Sequence, residues 1–99
     1  MAKQVVWSPL AQKDFEFLLD YLQENWDSKV VLGFIEVTYR LITQISRNPK
    51  QFPLIHTDRK IRKCVLTKHN ALFYREGKDK IDLLRLYDTR QDPKRLDFK

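Results

Sequence analysis

This 99-residue chain has little that would allow covalent or metal-based stabilisation. Its single cysteine, Cys64, excludes an intramolecular disulfide, and no cysteines and histidines share the spacing of a metal site. With only two glycines, 42% hydrophobic and 32% charged residues, the composition excludes a disordered protein. No apolar run approaches the roughly 20 residues that span a bilayer, and the N-terminus lacks the layout of a signal peptide. We therefore expect one cytoplasmic domain over residues 1–99, without metal, cofactor or membrane span.

Positive charge is concentrated in the second half of the chain. Residues 1–49 carry five basic and six acidic side chains, whereas residues 50–99 carry fourteen basic and seven acidic ones, within a net charge of +6. A basic half beside a nearly neutral one indicates a surface that meets an anionic partner, either nucleic acid or an acidic protein segment. The alternative is that the charge serves only solubility.

Two helices are predicted in the first half. The pair Ser8-Pro9 is a typical helix start, and apolar residues then recur every three or four positions as far as Trp26. Asp27-Ser28 provides an N-cap for a second helix, from about Lys29 to Arg47. Gly33 inside it costs about 1 kcal/mol in helix propensity, and a close approach of the two helices would explain it. Helix, tight turn and helix form an antiparallel hairpin.

The remaining elements are predicted to be strands. Lys3–Trp7 is β-prone, Lys50–Arg59 has no period and is predicted to be a loop, and a period of two then defines the strands Ile61–Leu66, Ala71–Glu76 and Lys80–Asp88. The predicted fold class is α+β, with an N-terminal strand, an antiparallel helical hairpin and three antiparallel strands forming one small sheet.

Strict alternation sorts the last strand into two faces. It places Ile81, Leu83, Arg85 and Tyr87 on one face and the residues between them on the other. An arginine among apolar strand neighbours requires a carboxylate or a phosphate, because it does not readily lose its charge. The candidates for binding an anionic target are therefore six of the cations of this half and one tyrosine, namely Lys60, Arg62, Lys63, Arg75, Arg85, Tyr87 and Arg90.

Internal pairing is the alternative for these arginines. Arg85 or Arg90 would then pair with a nearby acid in the sequence, Asp82, Asp88 or Asp92, and attach the C-terminus to the sheet. Asp92-Pro93 favours a turn, which fits such a cap.

A catalytic interpretation needs groups that transfer protons. His56 and His69 are the only histidines, and neither has a carboxylate partner by spacing. In a nuclease they would handle protons while Arg62, Arg75, Arg85 and Tyr87 stabilised the phosphate. The chain has no P-loop, nucleophile elbow, zinc motif or dinucleotide fingerprint.

Several segments in order resemble one known family. They are "WSPLAQKDFEFLLDYLQENW" at the first helix, the helix stop Asn48-Pro49, Phe52-Pro53, and the ending "ALFYREGKDKIDLLRLYDTRQDP". Nearly the whole chain is similar to toxins of the RelE/ParE superfamily, which belong to bacterial type II toxin–antitoxin modules and include plasmid stabilisation proteins.

The resemblance implies one of two activities. RelE-like members are ribosome-dependent mRNA endonucleases, whereas ParE-like members block DNA gyrase without breaking bonds themselves. Ala71 and Thr67 stand near positions where the RelE-like nucleases often carry arginine, and "LLRLYDTRQDP" is closer to ParE-like endings. The expected function is therefore a toxin that binds a macromolecular target, with DNA gyrase favoured. The alternatives are an mRNA endonuclease and a degenerate, non-toxic homologue.

Either activity implies a cognate antitoxin as partner. In the family this is a partly disordered protein whose apolar and acidic segment wraps the toxin. The charge division would steer an acidic partner towards residues 50–99. Exposed Phe, Tyr and Trp side chains of the first helix would anchor its apolar side chains, and the expected antitoxin-binding residues are Phe15, Leu18, Leu22 and Trp26.

Overall fold

A computed structural model describes residues 2–88 of the chain. The elements in order are β1 (Gln4–Trp7), α1 (Pro9–Asn25), α2 (Ser28–Arg47), a 3₁₀ helix (Pro49–Gln51), β2 (Leu54–His56), β3 (Ile61–Thr67), β4 (Asn70–Glu76) and β5 (Lys80–Asp88). They form one five-stranded sheet in the order β1-β5-β4-β3-β2, in which β1 runs parallel to β5 and the other pairs are antiparallel. The predicted α+β class is confirmed.

Both predicted helix starts are confirmed by their caps. The Ser8 hydroxyl accepts a hydrogen bond from the Ala11 N–H at 3.0 Å, and the Asp27 carboxylate accepts one from the Val30 N–H at 3.2 Å. Each cap satisfies a backbone donor that the first helical turn leaves unpaired. In the part of the chain that the structure describes, neither helix combines the length and apolarity needed to cross a membrane.

The main core lies between the helical hairpin and one face of the sheet. Buried side chains of the helices meet buried side chains of β3, β4 and β5, the largest being Tyr74, which is fully buried. Phe15 fills the space beside this core, with its ring centroid 5.1 Å from that of Trp7 and 6.1 Å from that of Phe34. A smaller apolar cluster on the opposite face contains Phe73, Leu84 and Tyr87 among others.

A β-bulge interrupts the alternation of β5. Leu83 pairs with Tyr74 and Arg85 pairs with Phe73, so Leu84 has no partner on β4. Beyond this extra residue the two faces exchange, because one inserted residue shifts the period of two. Leu86 therefore joins the main core, while Tyr87 joins the cluster on the opposite face. The prediction that Tyr87 shares a face with Ile81 and Leu83 is wrong.

The segment predicted as a loop contains two short elements. Residues of Lys50–Arg59 form the end of the 3₁₀ helix and the edge strand β2. All three β2 residues are exposed, and the register shifts between Leu54 and His56. An edge strand of this length, solvated on both faces, shows no alternation for a sequence pattern to detect.

Alkaline pH is predicted to destabilise the fold through two buried groups. Burial raises the pKa of Tyr74 from 10.0 to about 12 and that of Cys64 from 9.0 to about 11. The unfolded chain releases both protons at lower pH than the native fold does. The contribution of these groups to the free energy of unfolding is therefore constant below pH 9 and falls between pH 9 and pH 12, by about 1.4 kcal/mol per unit of pKa difference.

Urea unfolding at a series of pH values measures this slope. Tyr74→Phe is expected to remove most of the decline between pH 10 and pH 12, because the phenol no longer titrates. An unchanged slope in this variant would contradict the assignment to Tyr74.

Candidate partner-binding groove and basic end

A cleft of about 660 Å³ opens between α1 and one end of the sheet. We call it the apolar groove. One wall of the groove is formed by α1 and the first turn of α2. The opposite wall is formed by the β3–β4 turn and the end of β5. The lining residues are Asp14, Phe17, Leu18, Tyr21, Leu22, Trp26, Val30, Thr67, His69, Asn70, Arg85, Leu86 and Asp88.

Exposed aromatic side chains form the wall of the apolar groove on α1. Phe17 is 69% exposed, Trp26 58% and Tyr21 44%. Phe17 and Tyr21 are four residues apart and so lie on the same side of the helix. Contiguous exposed apolar surface of this kind marks an interaction site. A protein partner is the occupant that this wall favours.

The predicted antitoxin-binding residues divide between this groove and the core. Leu18, Leu22 and Trp26 line the groove, whereas Phe15 is packed among aromatic rings at the core. Phe17 and Tyr21 were not among the four named residues, although exposed Phe, Tyr and Trp side chains of this helix were expected to anchor the antitoxin. The available signal was that α1 carries more apolar positions than a single stripe requires.

A second, smaller hollow of about 410 Å³ adjoins the groove on the α2 side. It shares Leu22, Val30, Thr67 and Asn70 with the groove and is lined further by Gly33, Phe34 and Val37. A Cβ atom added at Gly33 would meet nothing within 4 Å. The prediction that a close approach of the two helices explains this glycine is therefore wrong, because the space beside it is open.

Arg85 forms a bidentate ion pair with Asp14 of α1. Arg85 Nε donates to Asp14 Oδ2 at 2.7 Å and Arg85 Nη2 donates to Oδ1 at 3.1 Å. The Leu86 N–H donates to the same Oδ2 at 3.1 Å. The expectation of an internal partner thus holds for Arg85, but this bidentate partner lies 71 residues away along the chain. The pair fixes the guanidinium in the wall of the groove.

The other strand arginines lie apart from Arg85. Arg62 Nη1 donates to the Phe52 carbonyl at 2.7 Å and so attaches the 3₁₀ segment to β3. Arg75 is exposed at the far end of β4 and pairs in register with Ile61, on the sheet face opposite the helices. Lys63 is half-buried on that same face, one pleat further along β3.

Tyr87 and Arg90 complete the predicted target-binding set. Tyr87 is only 8% exposed, and its ring packs edge-on against Phe73 with centroids 6.1 Å apart. Arg90 lies outside the described residues.

The two histidines lie at opposite ends of β3. His56 belongs to β2 and is in register with Ile61 at the start of β3, whereas His69 follows Thr67 in the turn after it. Seven residues of strand separate these ends by about 20 Å. The two imidazoles therefore do not converge on one reacting group, and a paired acid–base role for them has no geometric support.

Cations gather at the end of the molecule opposite the groove. The C-terminus of α2, the β2–β3 turn and the β4–β5 turn meet there, since β3 starts where β4 ends. Six exposed cations lie in this region, which we call the basic end: Arg47, Lys50, Arg59, Lys60, Arg75 and Lys78. None of them forms an ion pair with another described residue, and only Asp58 and Asp79 are exposed acids nearby. The basic end is suited to an anionic partner.

The chain is similar to known toxins in sequence. Residues 5–93 match the family described as ParE toxin of type II toxin-antitoxin system, parDE. Comparison with curated protein sequences gives no match.

Solved structures share the fold. The chain is similar to a structure of the chromosomal ParDE TA system from P. aeruginosa, with a TM-score of 0.74 and 13% identity over 88% of this chain and 96% of that one. A YoeB/ParE toxin from Agrobacterium tumefaciens has a TM-score of 0.63 and 18% identity, over 86% of this chain and 96% of that one. The toxin–antitoxin complex RelBE2 from Mycobacterium tuberculosis has a TM-score of 0.57 and 15% identity, over 89% and 99% of the respective chains.

The ion pair between Asp14 and Arg85 is predicted to be a main tertiary stabiliser of α1. Asp14→Ala removes the bidentate carboxylate partner of the Arg85 guanidinium and the acceptor of the Leu86 N–H, and we expect the free energy of unfolding to fall by about 2–4 kcal/mol. In a double-mutant cycle with Arg85→Ala, the coupling energy is expected to be about 1–3 kcal/mol. Urea unfolding monitored by tryptophan fluorescence measures each term.

Glu16→Ala is the matched control for this cycle. Glu16 is an exposed acid two residues further along α1, and its removal should change the free energy of unfolding by less than about 0.5 kcal/mol. If the effects of the Asp14 and Arg85 substitutions on the free energy of unfolding are strictly additive, the ion pair contributes nothing to stability.

Proposed function

The chain belongs to the ParE toxin family of type II toxin–antitoxin systems, and we propose that it inhibits growth by binding DNA gyrase and is neutralised by a cognate antitoxin. Family membership makes a toxin–antitoxin role the starting point. The structures of similar fold include complexes of toxins with antitoxins. The target and the neutralising partner are the parts that we propose.

We favour binding of the target over cleavage because the candidate catalytic groups lie far apart in the structure. A nuclease that stabilises a phosphate needs cations and proton-transfer groups within hydrogen-bonding reach of one another. Here Arg85 binds Asp14, Arg62 binds a backbone carbonyl, and the histidines lie at opposite ends of β3. This arrangement favours a toxin that binds its target over one that cuts it.

The basic end is the proposed contact surface for the target. Of the target-binding candidates among the described residues, Lys60 and Arg75 are exposed there, and Lys63 lies beside Arg75 on the same face of the sheet. Arg62 and Arg85 then have structural roles in fixing the 3₁₀ segment and α1. Cations that form no ion pair with another described residue are available to steer and bind an anionic surface of the target.

The apolar groove is the proposed site of the antitoxin. Its exposed aromatic wall of Phe17, Tyr21 and Trp26 provides rigid anchoring area, which hot spots of protein interfaces commonly use. The groove and the basic end lie about 20–30 Å apart, given strands of seven to nine residues. An antitoxin segment with an apolar part in the groove and about ten further acidic, extended residues would reach the basic end as well.

Growth inhibition and gyrase inhibition test the proposed target. Induction of the chain is expected to stop growth without discrete mRNA cuts, and the purified protein is expected to inhibit supercoiling by gyrase. Lys60→Glu/Arg75→Glu should raise the inhibitory concentration roughly tenfold or more, since like charges replace complementary ones. Lys13→Glu/Arg40→Glu changes the charge equally at exposed helical positions and should leave inhibition unchanged.

Other results would contradict this assignment. Codon-linked mRNA cuts detected by primer extension would identify a ribosome-dependent endonuclease instead. Normal growth with intact mRNA and active gyrase would identify a degenerate, non-toxic homologue that could still bind an antitoxin.

Salt is predicted to slow association with the cognate antitoxin, which we expect to be a short acidic protein encoded in the adjacent reading frame. If an acidic segment is steered by the basic end, stopped-flow association rates should fall about tenfold between 50 and 500 mM salt. Lys60→Glu/Arg75→Glu should flatten this dependence, whereas Lys13→Glu/Arg40→Glu should preserve it. A salt-independent rate for the wild-type protein would rule out electrostatic steering.

A further inference from the structure

Gly33 is an unfavourable residue at a position where nothing within the described chain requires it. It lies inside α2, where a glycine costs about 1 kcal/mol relative to alanine. Its φ is not positive, so its backbone does not need the conformational freedom of glycine. A Cβ atom would meet nothing within 4 Å, so no neighbouring group excludes a side chain. The described fold therefore gives no reason for a glycine at this position.

The residues around Gly33 form a hole of the kind that receives one side chain of a facing helix. Val30, Gly33, Phe34 and Val37 occupy positions i, i+3, i+4 and i+7 of α2, and all four line the hollow of about 410 Å³. In knobs-into-holes packing, four residues of one helix accept one knob from the other. Glycine at the second of these positions deepens the hole, because the knob can approach the helix backbone.

The lining of this hollow defines the chemistry of its occupant. Among the residues that the structure describes, no charged side chain lines it: Leu22 of α1 closes one side, and the small polar residues Thr67 and Asn70 close the other. An apolar knob on an amphipathic helix fits these walls, whereas a charged one would lose its hydration without a partner.

We propose that the Gly33 hollow is a specificity socket, which accepts a single large apolar side chain from a helix of the cognate antitoxin. The proposal rests on the proposed function, in which the antitoxin occupies the apolar groove. The socket is continuous with that groove through Leu22, Val30, Thr67 and Asn70. A helix that covers the exposed side chains of Trp26 and Val30 therefore passes directly over Gly33.

The socket also provides a means of discrimination. An antitoxin with a small residue at the knob position leaves the hollow empty, and a toxin with a larger residue at position 33 excludes the knob. Specificity arises when mismatched pairs carry a void or a clash that the cognate pair avoids. Gly33 would thus select among antitoxins without contacting the target.

Substitutions at Gly33 in the full-length chain test the socket. Gly33→Leu fills the hollow, and its Kd for the antitoxin encoded in the adjacent reading frame is expected to rise at least about 100-fold, as for a steric mismatch at an interface hot spot. Gly33→Ala should change Kd much less and should raise the Tm of the isolated toxin by about 4–8 °C, because the helix propensity improves. Glu36→Leu adds the same apolar side chain at an exposed position outside the hollow and should leave Kd unchanged.

A compensating change on the partner makes the test independent of how well Gly33→Leu folds. Replacing the apolar knob of the antitoxin by alanine should weaken binding to wild-type toxin and restore binding to Gly33→Leu. Scanning the apolar positions of the antitoxin for this restoration identifies the knob. If no alanine substitution in the antitoxin restores binding to Gly33→Leu, the socket proposal is wrong.

The remaining outcomes separate this inference from the proposed function. Unchanged binding by Gly33→Leu, with tight binding by wild type, would overturn the socket and leave the antitoxin assignment intact. No binding by wild type would overturn both. A deletion of residues 89–99 that lowers the Tm of the wild-type toxin but not that of Gly33→Leu would identify those residues as the occupant. A wild-type dimer that Gly33→Leu converts to a monomer would identify a second copy, and either result would overturn the proposal.

Discussion

The rest of the structure depends on one constraint, which is that the edge of β5 beyond Leu83 has no neighbouring strand on the β1 side among the described residues. β1 pairs with β5 only as far as Leu83, and the polar backbone groups that follow would be left without partners at a partly buried edge. The start of α1 satisfies them: the Ser8 N–H donates to the Leu83 carbonyl, the Ser8 hydroxyl donates to the Leu84 carbonyl, and Asp14 accepts from the Leu86 N–H. Beyond the end of β1, the start of α1 thus provides the hydrogen-bond partners for this edge of β5.

This attachment fixes the direction of the helical hairpin and therefore the polarity of the molecule. With α1 held along β5, its aromatic C-terminal half extends to the end of the sheet at the β3–β4 turn, where the apolar groove opens. α2 returns in the opposite direction, so Arg47 arrives beside the turns that carry Lys60 and Lys78. Apolar and cationic surfaces are separated by the length of the sheet. Two partners of different chemistry can consequently bind at opposite ends of the described fold.

Local signals predicted the elements that are set by neighbouring residues. Ser8-Pro9 and Asp27 defined the helix starts because a cap depends on groups within three residues of one another. The fold class followed from the change of the hydrophobic period from that of a helix to two after Arg59. The bulge at Leu84 did not follow, because it depends on how β5 pairs with β4 and not on the composition of β5 alone.

The residues of the candidate site were also harder to predict, because their positions depend on contacts between segments that are distant in the sequence. The partner of Arg85 is 71 residues away, and only the docking of α1 on β5 brings Asp14 to it. Leu18, Leu22 and Trp26 were identified from helical periodicity, but periodicity could not separate them from Phe15, which packs inside. Gly33 was correctly noticed as costly in a helix, yet its open surroundings depend on where the β3–β4 turn lies.

The brevity of β2 has a consequence for association in solution. An exposed sheet edge offers free backbone donors and acceptors to any extended chain, and Leu54 and Ile55 would add apolar contact to such pairing. Three residues with a shifted register give an incoming strand almost no ladder to extend, and Arg59 and Lys60 add like-charge repulsion against a second copy. The edge thereby resists pairing of one copy of the chain with another through β2, so the exposed sheet does not promote polymerisation.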